Sequence, residues 1–348
     1  MSHGGDIFRN KVNIDFSVNL NPYDISEKIL EAIGECKDEI GHYPDIKQES
    51  LRNALAKAEG VYYDNVIAGN GASELLLAIV RAIDPKKALI INPCFSLYRD
   101  YLNTLKKCEI KDIFLNEKEG FRLTEDILSG ILEDTDIMFL TDPWNPVGFN
   151  IDNELLIKII DKAKSLNIKV VLDQSFLMMS DKAKSFDTFK FLERYDDLIM
   201  VRSYTKCFSC PGIRMGYVIS SPENIKKIKR QLPEWNMPVI SSHVMERCAL
   251  LSKDESFTDS TLKLIKKERD HLICELKKLD LKVYESDTSF IMFYSKEDLY
   301  EKMLDKGILI RDLSDMFENK GGFYRVAIKD HESNKILIRC LKEVINGD

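Results

Sequence analysis

The sequence predicts an α/β protein: a large domain on a mostly parallel sheet flanked by helices, a smaller α+β domain after it, and an N-terminal arm before it. Three observations carry this. Short apolar, β-branched runs recur at 66–68, 88–92, 136–141, 168–173, 198–203 and 215–220. Between most of them lie longer stretches of helical periodicity, such as 74–83 and 155–166, and strands alternating with helices build βαβ units. The chain has 348 residues, enough for two domains at roughly 100–200 residues each.

Taken in order, residues 1–25 are polar and turn-rich, with Asn19, Asn21 and Pro22 close together, and read as an extended arm. Two helical patterns flank the turn Gly41-His42-Tyr43-Pro44-Asp45 within 26–60. We place the arm, with a helix packing on the small domain, at 1–45, the large domain at 46–255 and the small domain at 256–348. A charged helical stretch, longest over 257–279, links the last two, and its charge runs read as a solvated helix face. Strands follow in 282–295, 308–311 and 323–328, and a final helix covers 331–346.

Bulk properties narrow the function. The formal charge is 50 − 57 = −7, which argues against nucleic acid or an anionic membrane as the main partner. The first residues lack the basic and apolar regions of a signal peptide, and no apolar run approaches the ~18 residues of a membrane span. Eight cysteines are scattered along the chain, as expected of reduced thiols in a cytoplasmic protein. Cys207 and Cys210 form a lone Cys-x-x-Cys without a second close pair, so no metal site is expected.

Ligand sites of parallel sheets lie at the carboxyl ends of the strands. The first end reads Gly69-Asn70-Gly71-Ala72-Ser73-Glu74 and opens a helix. Glycines and a helix N-terminus suit an anion, but neither a Walker A loop nor a dinucleotide fingerprint is present. The second carries Phe95 and Tyr98, aromatic residues able to stack on a planar ring or to fill the core. The third, Asp142-Pro143-Trp144-Asn145-Pro146-Val147-Gly148, is a rigid loop able to present Asn145. The fourth ends on Asp173, costly to bury without a partner. The fifth carries Ser203, Lys206 and, eight residues on, Arg214.

Together, Ser203-x-x-Lys206 with Gly212-Ile213-Arg214-x-Gly216-Tyr217, Asn145-Pro146-x-Gly148, Asp173 and Arg325 resemble the class I/II aminotransferases of PLP fold type I. The resemblance is to the threonine-phosphate decarboxylase and histidinol-phosphate aminotransferase branch and runs from His3 to about Leu337. It implies pyridoxal 5′-phosphate (PLP) held as a Schiff base on Lys206, which later moves protons at the substrate Cα. It implies that Asp173 pairs with the ring nitrogen, Asn145 bonds the ring oxygen and Tyr98 stacks on the ring. Gly71, Ala72, Ser73, Ser203 and Arg214 would bind the cofactor phosphate. Tyr43 would reach the cofactor of a second subunit, which implies a homodimer. Arg325 and Arg311 are the candidates for substrate anions, although Arg311 reads equally well as a surface strand cation.

The chain departs from the family pattern at three places. Asp142-Pro-Trp144-Asn145 stands for the common Asn-Pro-Asn-Asn, and Gln174 for Glu in Asp-Glu-Ala-Tyr/Phe. Phe176 lacks the hydroxyl that Tyr would offer the ring oxygen. These changes leave cofactor binding intact and put the substrate in question. The opening His3-Gly4-Gly5, followed by Asp15-Phe16-Ser17-x-Asn19-x-Asn21-Pro22, resembles the decarboxylase arm that holds a substrate phosphate, with His3, Gly4 and Asn19 as contacts. The resemblance therefore leans to decarboxylation of O-phospho-L-threonine, the step that serves cobalamin assembly. Histidinol-phosphate transamination is the alternative, and a non-catalytic PLP-fold binding protein a lesser one.

Overall fold

The computed structural model describes residues 4–24, 26–317 and 320–347; His3 lies outside them. Its strands, in chain order, are β1 (Ile14–Asp15), β2 (Val66–Asn70), β3 (Lys87–Asn92), β4 (Glu109–Phe114), β5 (Ile137–Thr141), β6 (Lys169–Asp173), β7 (Leu198–Arg202), β8 (Met215–Ile219), β9 (Lys282–Val283), β10 (Phe290–Tyr294), β11 (Ile308–Leu309), β12 (Arg311–Asp312) and β13 (Phe323–Ala327).

The central sheet has the order β2-β8-β7-β6-β5-β3-β4. The pairs from β7 to β4 are parallel, while β8 runs antiparallel to both β2 and β7. β5, β7 and β8 are buried along their whole length, which explains their unbroken apolar runs: strands covered on both faces need no polar alternation. Strand β4, Glu-Ile-Lys-Asp-Ile-Phe, was not foreseen. It is the sheet edge, half exposed, and it carries three charged residues, Glu109, Lys111 and Asp112, as an edge position favours.

The carboxyl ends of β2, β3, β5, β6 and β7 meet at one edge of this sheet. Because β8 is antiparallel, its first residue pairs with Asn70 at the same edge. That reversal brings Arg214, one residue before β8, beside Gly71, one residue after β2. Gly216 permits the approach: a Cβ there would sit 2.5 Å from the Gly71 carbonyl carbon.

The second sheet has the antiparallel order β12-β13-β10-β9. The N-terminal arm divides between the two. β1 pairs with β11, and Ala327 N–H bonds Phe16 O (2.8 Å), so the strand of the arm joins the C-terminal part. The following helix, Glu27–Glu35, lies instead against the helix Val239–Leu251, where Glu35 bonds Arg247 (2.9 Å) and His243 (3.0 Å). The expectation placed this helix on the small domain; its strongest contacts are instead with the helix Val239–Leu251, inside 46–255.

Candidate active site

The strand ends enclose a cavity of about 410 Å³ that also takes residues from the arm and from the second sheet. At its floor, the helix Gly71–Ile83 begins directly after β2. Gly71 has φ of +79° and an added Cβ would stand 2.7 Å from Arg214 Nη2, so only glycine leaves the helix N-terminus open to the guanidinium. Glu74 folds back to accept the Asn70 N–H (2.7 Å). Free N–H groups at a helix start, with an arginine beside them, form a cradle for a phosphate.

Lys206 sits in the short helix Tyr204–Cys207 after β7. Ser203 caps this turn through the Thr205 N–H (3.2 Å) and donates its hydroxyl to Met215 O (2.7 Å), and Thr205 also donates to Met215 O (3.0 Å). From the arm, Asn21 N–H bonds Lys206 O (3.0 Å) and Asn21 Nδ2 bonds Cys207 O (2.8 Å). The lysine backbone is thus held from both sides while its ammonium points into the cavity, 5.9 Å from the Phe176 ring centre. Burial first, then Arg325 and Arg214, lowers its pKa to about 8, with Asp173 opposing. A lysine in this state is a ready nucleophile near neutral pH.

Asp173 ends β6 and is buried. It accepts bonds from the Tyr98 hydroxyl (2.8 Å) and the Ser175 N–H (2.9 Å). Burial raises its pKa, and the Ser175 and Tyr98 bonds and Lys206 resist that rise. Asn145 lines the same cavity, and its Oδ1 accepts from Arg325 Nη1. Its amide nitrogen is thereby left to donate elsewhere.

Arg325, on β13, pairs in register with Arg311 on β12. Both are buried and both line the cavity. Arg311 Nη2 binds the Asp315 carboxylate (2.7 and 2.8 Å) and its Nη1 bonds Asp312 O (2.7 Å). Arg325 Nη2 bonds Ser17 O (3.3 Å), while its Nε is buried without a partner. Burial, then Arg311, lowers the Arg325 pKa to about 9. Gly4, Ser17 and Asn19 of the arm close this side; the Gly5 N–H bonds Ser17 Oγ (2.7 Å), and the Asn19 Oδ1 is buried and unpaired.

Most of the residues singled out in the sequence therefore share one cavity. Tyr98 does not line it. Its ring stacks on Phe139 (4.9 Å between centres) and its hydroxyl serves Asp173 and Thr141 (3.0 Å). Phe95, edge-on to Tyr98, lines the cavity instead. The first turn of the helix Leu97–Leu102 directs Tyr98 down onto the sheet, whereas Phe95 precedes the helix and faces the opening. Tyr43 lies on the surface, 82% exposed, with its ring 5.0 Å from that of Trp235. Sequence reasoning named Phe95 beside Tyr98 without assigning it to the site, and missed Ser175, Thr205 and Met316, all of which line the cavity; Thr205 adjoins the Ser203–Lys206 motif, which was the available signal.

Of the three departures, only Phe176 reaches the cavity. Trp144 is buried under the loop, stacked on Phe149 and donating to Pro93 O (2.8 Å). Gln174 accepts from Arg202 Nε (3.0 Å) and Nη2 (2.8 Å), and Arg202 also binds Glu59.

Comparison with known proteins decides the family. The family profile described as "Aminotransferase class I and II" matches residues 11–341. The chain belongs to the class I and II aminotransferase family. A protein of Caldanaerobacter subterraneus subsp. tengcongensis with a provisional threonine-phosphate decarboxylase name is 35% identical over 98% of this chain and 93% of its own length. The threonine-phosphate decarboxylase of Salmonella typhimurium is 30% identical over 96% and 92%. The crystal structure of the histidinol-phosphate aminotransferase from Clostridium acetobutylicum superposes with a TM-score of 0.87, at 28% identity, over 96% of this chain and 99% of that one. The fold is PLP fold type I, and this family member is a PLP-dependent enzyme. The site suits that cofactor: a phosphate cradle that a Cβ would fill at Gly71, a buried carboxylate at Asp173 and a lysine of lowered pKa stand around one cavity. Among the described residues, no helix is long and apolar enough to cross a membrane.

Proposed function

We propose that this enzyme removes the carboxylate of a phosphorylated amino acid, with O-phospho-L-threonine as substrate. The observation that carries the reading is the opposed pair Arg311 and Arg325. Like charges directly across an antiparallel ladder repel. Asp315 binds Arg311, and Arg325 keeps a buried, unpaired Nε. A substrate bearing both a phosphate and a carboxylate would give the buried Arg325 Nε an anionic acceptor. The arm adds to this: Gly4 and Asn19 reach the same end of the cavity, where the decarboxylase arm is expected to hold a phosphate. The decarboxylase names of two relatives agree.

Bound PLP withdraws electron density from the substrate Cα. In this reading Lys206 holds the cofactor and later delivers a proton to Cα. Asp173, as the carboxylate, would keep a proton on the ring nitrogen, and the cationic ring would offset the burial that raises its pKa. Asn145 donates to the ring oxygen, and Phe95 covers a ring face. The N–H groups of Gly71, Ala72 and Ser73, with Ser203, Thr205 and Arg214, hold the cofactor phosphate. Arg325 and Arg311 hold the substrate anions and set which bond at Cα is weakened. Tyr43 completes the phosphate site of a second subunit.

A second reading, transamination of histidinol phosphate, is favoured by the extent of the Clostridium acetobutylicum superposition. Incubation with O-phospho-L-threonine is expected to release carbon dioxide. Glutamate formed from histidinol phosphate and 2-oxoglutarate, with no carbon dioxide from the first assay, would decide for the second reading.

A further inference from the structure

The departure from the family pattern at Asp142 has a partner elsewhere in the chain. Asp142 is fully buried, and Lys182, 6% exposed, donates to its Oδ2 (2.8 Å). The two close a loop. Asp142 Oδ1 accepts the Ile151 N–H (2.9 Å), and Lys182 Nζ donates to Ile151 O (2.9 Å), so both ends of 142–151 are tied at one point. Asp142 N–H bonds Asp173 O (2.9 Å), which joins that point to β6. Inside the loop, Trp144 N–H bonds Phe149 O and Gly148 N–H bonds Trp144 O (both 2.6 Å). The loop has one cavity-lining side chain of established polarity, Asn145.

The pair also meets the second sheet. Next to Lys182, Asp181 N–H bonds Asp287 O (2.8 Å), and the Asp181 carboxylate binds Arg269 (2.6 Å). Asp287 in turn bonds the far side of the loop, donating to Gly148 O (2.9 Å) and accepting from Asn150 N–H (2.8 Å). A buried ion pair is costly to desolvate, and an uncharged pair of the same shape would serve stability as well or better. What the charged pair adds is direction: one ammonium fixes a carboxylate oxygen and a carbonyl oxygen together.

We propose that Lys182, acting through Asp142, is a positioning residue for Asn145, holding its amide between Arg325 and the ring oxygen of the cofactor. The proposal rests on the reading of Asn145 given above. A donor to the ring oxygen stabilises its negative charge and so lowers the pKa of the lysine-bound chromophore. Weakening that bond raises the pKa.

The test is a pH titration of the visible band of the holoenzyme for wild type, Lys182→Met, Asp142→Asn, the double variant Asp142→Asn/Lys182→Met, and Asn145→Ala. The single variants leave one buried charge unpaired and are expected to melt early. The double variant leaves none, and its melting temperature is expected to return toward wild type. Its chromophore pKa is nevertheless expected to stay raised by about half a unit or more, in the direction of Asn145→Ala. A folded double variant titrating with wild type, while Asn145→Ala shifts, overturns the proposal alone. No shift in Asn145→Ala overturns it together with the reading of Asn145. Acrylamide quenching of Trp144 in cofactor-free protein, on a Trp235→Phe background, adds a readout independent of the cofactor: quenching is expected to rise when the pair is removed, and unchanged quenching counts against the proposal.

Discussion

At the residue scale the chemistry turns on the protonation of Lys206. Burial and two arginines lower its pKa from 10.5 to about 8. A lysine attacks a carbonyl only as the free amine, so capture of PLP by the cofactor-free protein is expected to speed up about tenfold per pH unit below about 8 and to level off above it. A rate of band growth that is flat with pH would contradict this. The stability of the cofactor-free protein has the matching sign. Between about 8 and 10.5 the unfolded chain holds a proton at this lysine that the folded chain has released, so this residue's contribution to stability rises with pH across that window and is smallest below it. The same scale holds the one aromatic exchange, Phe95 for Tyr98. Both are aromatic residues just past β3, and only the path of the chain into the helix Leu97–Leu102 separates their directions.

At the scale of elements, the site depends on one antiparallel strand. β8 returns through the sheet against its neighbours and so delivers Arg214 to the edge where the other strands end. Gly216 is the contact point between β8 and the phosphate cradle, where a Cβ would meet Gly71 C at 2.5 Å and Ala72 N at 2.6 Å. Backbone atoms cannot yield as a side chain can. Gly216→Ala is therefore expected to weaken PLP binding by about tenfold or more, equivalent to ~1.4 kcal/mol. Gly212→Ala, where an added Cβ meets nothing within 4 Å, is expected to leave the affinity near wild type. Equilibrium dialysis of the two variants checks both; equal affinities would contradict the close-approach argument. The strand runs and the helix between 71 and 83 were legible because burial on both faces and helical periodicity leave direct patterns. β4 was not, because an edge strand half in water carries charges that read as a loop.

At the scale of the whole molecule, the cavity is assembled from three distant parts of the chain: the arm through Gly4 and Asn19, the central sheet, and the second sheet through Arg311 and Arg325. Tyr43 stays outside it, on a surface with Trp235 and Ile46, all of them exposed. If Tyr43 serves a second subunit, the protein is expected to sediment at about twice 40.1 kDa, and Tyr43→Ala to lower PLP affinity although it does not line the cavity of its own chain. A 40 kDa species with wild-type affinity in Tyr43→Ala would rule that out.

The sequence by itself determined the alternation of strands and helices and the motif around Lys206, Arg214, Asn145 and Asp173. These are local features, set by burial patterns and by residues a few positions apart, so a linear reading can reach them. Only the tertiary structure decided that Arg311 faces Arg325, that Phe95 rather than Tyr98 lines the cavity, and that Asp142 is answered by Lys182 forty residues away. Each of these depends on strand register, on the direction of a helix start or on a contact between distant segments, and none of those quantities is written in the order of residues alone.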